Sequence, residues 1–589
     1  MKRNEIADKY KWRLEDIVST DEEWEKLYNE IASYESQLKS YEGKLGDKKM
    51  LKECLECNEK VDTLIGRMYC YARMRRDQDG SVQKYIAFTD KAMGLMIRLS
   101  TATSYMNSEI SSLSEEYLSD VISDKDFEPF DFMLKEIVRA KKYILSDKEE
   151  KLLSMASQAT GNYSEIFTTI NNVELPMPTI KTPDGDVKLT HGNYGLFLQS
   201  SDKSLRESAF QGMYGAYKKL INTICNTYAG SVKKDNFYAR ARGYEDCLQQ
   251  SLFGDNVPKD VYNQLINAVD ENTSVMHKYM ELRKKALGYK EMHMYDLSVA
   301  IFENADLKLS YEDAYELVIK GLKPLGEEYA SLLREARDHG WIDVMENEGK
   351  RSGAYSWGCY GVHPYVLLNY SQTTHDVFTI AHELGHAMHT YYSNKTWGLN
   401  KSQYQIFVAE VASTVNEVFL LKHLISTVED KLLKKYLLSY YIDMFRTTLF
   451  RQTMFAEFEK IAHDMELNGK PLTVDSLSEE YYALNKKYYG DAVTHDDDIR
   501  YEWARIPHFY NSFYVYKYAT GITSAINIVN SILADPKNVE RYKKFLCAGG
   551  SDSPYNILKN AGVDLATKHP YEVAMKEFND TLKLLEKEI

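Results

Sequence analysis

Apolar residues recur with a helical period over most of this chain. Four early windows carry the repeat: Trp24–Leu38, Leu51–Ala72, Val82–Ile110 and Lys148–Ala159. One face of each turn is apolar and the opposite face charged, which predicts amphipathic helices. The first break comes at Val173–Asn193, where Pro176, Pro178, Pro183 and His191-Gly-Asn punctuate short strand-like runs. Helical periodicity resumes from Ser204 to about Ala336, interrupted at Gly254-Asp-Asn-Val-Pro. The stretch Arg351–Tyr370 is different again: aromatic and β-branched residues sit between Gly353, Gly358, Gly361 and Pro364, which predicts two short strands around a loop. From Thr373 onward the pattern is helical, with one acidic loop over Gly490–Arg500. The expectation is a mainly α fold with one small β-sheet immediately before the helix that starts near Thr373. The domain boundary is placed near residue 195, giving an N-terminal helical domain over 1–195 and a second domain over 196–589.

That helix carries the chemistry. Val377, Ile380, Ala381, Leu384, Ala387 and Met388 form an apolar stripe, and His382, Glu383, His386 and His389 lie on the other side. Two histidines four residues apart stack one helical turn apart, so both imidazoles can reach a single ion. Zinc is the expected cofactor, one ion, because it accepts two imidazoles and a carboxylate and keeps a fourth position for water. Glu383 leans toward that position as general base. With 14 histidines in the chain, composition alone produces H-E-x-x-H in roughly 3 of 100 such sequences, so the pattern needs support from elsewhere.

The support is a second amphipathic helix, Gln403–Leu421, with Phe407, Val411, Val415, Val418 and Phe419 inward. Glu410 follows His382 by 28 residues, enough for one helix to end, turn and bring the next alongside. It is the expected third ligand. Glu417, seven residues further on the same face, is read as the acceptor that orients a histidine N–H; the alternative is an ordinary solvated glutamate.

With these residues in place the chain resembles a known family. Phe378-Thr-Ile-Ala-His-Glu-Leu-Gly-His-Ala-Met-His389 and Phe407-Val-Ala-Glu-Val-Ala-Ser-Thr-Val-Asn-Glu417 look like the M3 peptidases, a gluzincin family, and more narrowly the oligoendopeptidase F branch. Ile506-Pro-His-Phe-Tyr-Asn-Ser-Phe-Tyr-Val-Tyr516 and Arg351-Ser-Gly-Ala-Tyr-Ser-Trp357 agree with it, and the resemblance covers about residues 110–585. It implies a neurolysin-like helical clam enclosing a deep channel, and an endopeptidase that takes short peptides and refuses folded proteins. By position it makes His382, His386 and Glu410 the ligands, Glu383 the base and His508 a transition-state donor. Tyrosines after His508 would donate to the oxyanion. The spacing there departs from thimet-type relatives, placing Phe513 and Thr520 where tyrosines are expected; Tyr510 and Tyr516 are the choice, with Tyr514 next. The Gly353-Ala354 segment would be the edge along which substrate adds as an extra strand.

Composition narrows the rest. A net charge of −14 argues against a nucleic-acid partner and an anionic membrane surface. No secretory leader and no apolar run of membrane-spanning length is visible. Seven cysteines fit a reducing, cytoplasmic setting, and the lone Cys54/Cys57 pair reads as helix packing. Short peptides are the expected partners, with the chain acting as a monomer or weak homo-oligomer. The rival readings are a zinc exopeptidase, for which Arg500 and Arg505 are the available terminus anchors, a metal-dependent hydrolase of non-peptide amides, and a helical peptide-binding scaffold with structural zinc.

Overall fold

A computed structural model describes residues 1–183, 185–302 and 307–589. It is mainly α-helical, with small sheets of two or three strands. The chain forms two compact units, each assembled from three separated stretches. One comprises Met1–Lys142, Asp306–His423 and Ile528–Gly562; the other comprises Tyr143–Ala305, Leu424–Asn527 and Val563–Ile589. Residue 195 falls inside the first stretch of the second unit.

In the first unit, the window at Leu51–Ala72 becomes a longer helix, α1 (Lys48–Gln78), started by the Asp47 carboxylate, which accepts from the Met50 amide at 3.0 Å. It runs on because Met74, Asp77 and Gln78 are still buried. The window at Val82–Ile110 splits instead into α2 (Gln83–Ala102) and Tyr105–Ser112. At the break the Thr103 and Ser104 hydroxyls donate back to carbonyls of the last turn, competing with the backbone ladder. Cys54 and Cys57 are free thiols in the packing of α1, as expected.

The small sheet has three strands: β1 (Ile342–Asp343), β2 (Tyr355–Trp357) and β3 (Tyr365–Leu367), in the order β1-β3-β2. β3 pairs in parallel with β1 and antiparallel with β2, which leaves one side of β2 unpaired among the described residues. Two strands were readable from the sequence. β1 was not, because two residues show no alternation. Tyr365 and Leu367 are completely buried in the same core as Met68, Tyr71 and Leu95, which fixes the sheet against α1 and α2.

Two helices follow: α3 (Thr374–Thr396) and α4 (Ile406–Thr427). A capping box starts α3, with the Thr373 hydroxyl accepting from the Asp376 amide and the Asp376 carboxylate accepting from the Thr373 amide. The apolar stripe of α3 is 0–1% exposed throughout.

The second unit holds helices Ile221–Ala241, Arg451–Leu467 and Val474–Tyr489, and a hairpin, Thr179–Thr182 with Gly185–Lys188, at the predicted first break. A parallel pair, Met292–His293 with Val493–Thr494, interrupts the helical run expected from Ser204 to Ala336. Its core contains charge. Arg206 and Asp296 form a fully buried pair, and buried Glu502 accepts from Arg451 and Tyr481, each at 2.7 Å.

Candidate metal centre

The close approach of α3 and α4 is set by Gly385, the fourth residue of the H-E-L-G-H run. A Cβ there would sit 2.5 Å from the Ser413 Cα and 2.6 Å from the Ala412 carbonyl oxygen. Only hydrogen fits in that space. Buried Asn416 ties the helices further, donating to the Ala381 carbonyl at 3.0 Å and accepting from the Tyr329 hydroxyl at 3.0 Å.

This contact brings three donor atoms together. The Nε2 atoms of His382 and His386 lie 3.2 Å apart, and Oε2 of Glu410 is 3.5 Å from the first and 3.6 Å from the second. Protons can be assigned by elimination. His382 Nδ1 lies 2.5 Å from Oε1 of Glu417, so that nitrogen carries the hydrogen and Nε2 presents its lone pair. His386 is hydrogen-bonded to the Ala409 backbone, and with Nε2 turned toward His382 its Nδ1 is the donor. Two ring nitrogens and a carboxylate oxygen therefore converge on one small volume. A cation satisfies that arrangement, and the two-nitrogen, one-oxygen set suits zinc. The Ser413 hydroxyl donates to Glu410 Oε2 at 3.1 Å and steadies it.

The carboxylates around the cluster favour positive charge within it. Burial works against charge on His382, but the hydrogen bond to Glu417 and the surrounding carboxylates outweigh it and lift its pKa to about 9. Burial and the charge of His382 push His386 down to about 4. Glu383 is 7% exposed; burial, with the Glu410 charge beside it, raises its pKa to about 7, against the pull of His382 and a hydrogen bond from the Ser356 backbone. Ser356 was not singled out from the sequence. It is the middle residue of β2, and its neighbours Tyr355 and Trp357 pair with β3 in register with Leu367 and Tyr365. Gly353 (φ +82°) and Ala354 lie immediately before this strand. His389 is not part of the cluster: it is 1% exposed, stacked on Tyr404 at 3.7 Å, and burial drops its pKa to about 3.

The other proposed residues lie in the second unit. His508 is exposed in a short 3-10 turn, its ring 6.0 Å from Tyr514 and 6.1 Å from Tyr518. Tyr516 is completely buried beside Tyr262, and its hydroxyl reaches Asp255 at 3.5 Å. Tyr510 is stacked on Phe167 at 4.5 Å. The aromatic run that points to both residues does not reveal which of its members turn inward. Tyr514, ranked after them, is one of the two tyrosines packed on His508. Arg500 and Arg505, the available anchors for a substrate terminus, are engaged by Asp497 at 2.7 Å and Glu502 at 3.3 Å.

A two-histidine, one-glutamate cluster with a desolvated carboxylate one residue from a ligand is the equipment of a metal-dependent hydrolase. Comparison with known proteins makes this specific. The description of Peptidase family M3 matches residues 196–577, and that of Oligopeptidase F matches residues 109–176. Oligopeptidase PepF of Bacillus subtilis is 42% identical over 99% of this chain and 88% of its own length. The crystal structure of a Chlamydophila abortus protein described as a peptidase superposes with a TM-score of 0.95 at 34% identity, covering 100% of both chains. That of oligoendopeptidase-F from Enterococcus faecium gives 0.74 at 33% identity, covering 96% of this chain and 99% of the other. The chain belongs to peptidase family M3, and it is accordingly a metalloendopeptidase. Among the described residues no helix is long and apolar enough to cross a membrane.

Proposed function

We propose that this protein is a zinc-dependent oligoendopeptidase that hydrolyses internal bonds of short, unfolded peptides in the cytoplasm. The observation that carries the reading is the convergence of three metal-ligating donor atoms from His382, His386 and Glu410. When bound there, zinc supplies Lewis-acid activation of water and of the scissile carbonyl.

The chain's own residues do the rest. Glu383 takes the proton from the attacking water and passes it to the nitrogen of the leaving amine, so one carboxylate serves as base and then as acid. Burial favours the protonated form of this carboxylate, which helps it receive the proton it then passes on. The Ser356 backbone holds this carboxylate in place. The unpaired side of β2, with Gly353 and Ala354 leading into it, aligns the substrate main chain as an added strand, a mode tolerant of substrate sequence. Glu417 fixes the His382 tautomer. His508 is assigned a transition-state donor role from the family resemblance, and the tyrosine partner proposed for it is Tyr514, which packs on its ring. Tyr510 and Tyr516 pack against Phe167 and Tyr262. "Oligo" in the names of the relatives supports short substrates, and the engaged state of Arg500 and Arg505 speaks against an exopeptidase anchor at those positions.

Metal analysis combined with digestion of peptides blocked at both ends, about 5 to 30 residues long, tests the reading. One zinc per chain and internal cleavage with an upper length limit are expected. A purified chain without divalent metal, or blocked peptides left intact, would overturn it.

A further inference from the structure

A cleft of about 420 Å³ runs along β2, lined by Tyr69, Arg73 and Asp77 of α1 and by Arg351, Tyr355 and Trp357. None of the catalytic steps uses these side chains. Ser356, whose backbone contacts Glu383, lines the same cleft, so it reaches the strand position next to the proposed base. Arg351 precedes Ser356 by five residues, a span of at most about 17 Å in extended chain. A group bound there belongs to a substrate residue within a few positions of the scissile bond.

The charge in this cleft is unbalanced. Among the described residues Asp77 is the only carboxylate in its lining, and it is shared three ways. Arg73 Nε lies 3.2 Å from Oδ1, the Arg351 guanidinium lies 3.5 Å from Oδ2, and the Tyr355 hydroxyl donates to Oδ2 at 2.9 Å. Each guanidinium carries about five N–H donors, and a carboxylate offers about four acceptor sites, one of them taken here by the phenol. Exposure adds to the imbalance: the side chain of Asp77 is 7% exposed, against 32% for Arg73 and 49% for Arg351. The anion is withdrawn and the cations face outward. Arginine pairs held in this way suit planar, bidentate recognition of a carboxylate. Tyr69 and Trp357, edge to face at 5.8 Å, give the cleft an apolar wall that strengthens such a contact.

We propose that this cleft is a carboxylate subsite, in which a peptide lying along β2 places an acidic side chain or its free C-terminal carboxylate between Arg73 and Arg351. The assignment rests on the reading of β2 as the strand along which substrate lies. It predicts a preference for one negative charge at a fixed distance from the cleaved bond.

The test is a set of blocked, otherwise uncharged peptides with glutamate or glutamine at each successive position on both sides of the cleaved bond. A second set has the C-terminus free or amidated at the same distances. For each pair, the ratio of kcat/KM for the carboxylate form to the amide form is measured with the wild-type enzyme, R73Q and the R73Q/R351Q double variant. Because the ratio is taken within one preparation, incomplete folding of a variant cancels. A ratio of about ten or more at one position is expected for the wild-type enzyme, falling toward one in the double variant. The glutamate set and the C-terminal set then tell which carboxylate the site takes. A wild-type ratio near one at every position overturns the subsite while leaving the endopeptidase reading intact. So does a preference that persists undiminished in the double variant. Failure of the wild-type enzyme to cleave any blocked peptide removes the endopeptidase reading itself, and the subsite with it.

Discussion

His382 Nδ1 lies 2.5 Å from Oε1 of Glu417, and Glu417 stands two helical turns beyond Glu410 on α4. One helix face thus supplies both the carboxylate proposed to touch the ion and the carboxylate that holds the His382 Nδ1 proton. Glu417→Ala is expected to lower zinc affinity by roughly 10- to 100-fold, the usual cost of losing such an orienting partner. Competition against a chelator of known affinity measures it. Restoration of turnover at saturating zinc would show that the loss is in affinity. Unchanged affinity would make Glu417 an ordinary partner of a buried histidine.

Glu383→Gln keeps the shape of the side chain and removes the proposed base. Zinc content is expected to stay at one per chain while kcat falls by about 1000-fold or more. Turnover within a few-fold of the parent defeats the assignment.

The same carboxylate fixes the acid limb of the pH profile. As the proposed base, Glu383 acts when deprotonated, so activity is expected to rise with pH through its pKa and to be lost below it. Burial first, and then the Glu410 charge, hold that pKa at about 7 in the metal-free chain, and a dication beside it lowers it. The midpoint of the acid limb of kcat/KM is expected between about 4.5 and 7, above an unperturbed glutamate. A profile flat down to pH 4 contradicts this.

Gly385→Ala places a methyl group 2.5 Å from the Ser413 Cα, where backbone rather than a mobile side chain must give way. Overpacking of this kind costs about 1–3 kcal/mol. It forces α3 from α4, so a lower melting temperature and weaker zinc binding are expected together. Calorimetry with and without added zinc separates the two effects.

Stability in acid is expected to depend on Glu502. Burial disfavours its charge, but Arg451 and Arg505, with hydrogen bonds from Arg451 and Tyr481, outweigh that and hold its pKa at about 2. A depressed carboxylate pKa adds stability that is complete above the unfolded value. That stability is lost as pH falls from about 4.5 toward 2, and a shift of this size is worth about 3 kcal/mol. Glu502→Gln leaves two half-buried guanidiniums short of a counter-charge, which lowers stability at neutral pH and flattens it over pH 2–4.5. Calorimetric scans of both proteins across that range check the sign.

His508→Ala is expected to lower kcat by about 100-fold with KM little changed, as for a donor used in the transition state. Tyr516→Phe, which alters only a buried phenol near Asp255, is expected to affect melting rather than kcat. A kcat loss in Tyr516→Phe that matches the one in His508→Ala would return Tyr516 to the mechanism.

The sequence by itself determined the helical character, the sheet ahead of the key helix, and the pattern His382, Glu383, His386 with Glu410 and Glu417. These are local: periodicity fixes which residues share a helix face, and spacings of four and seven residues place side chains on one side of an axis. Tertiary structure decided what depends on contacts between distant segments. How close α3 and α4 come follows from the room at Gly385, and only that distance turns three donors into a cluster. The strand position that meets Glu383, Ser356, is set by pairing with β3, a register no local pattern encodes. The same holds for the tyrosines near His508. Tyr514 and Tyr516 have nearly the same neighbours in sequence, and only the packing around them decides which one is buried.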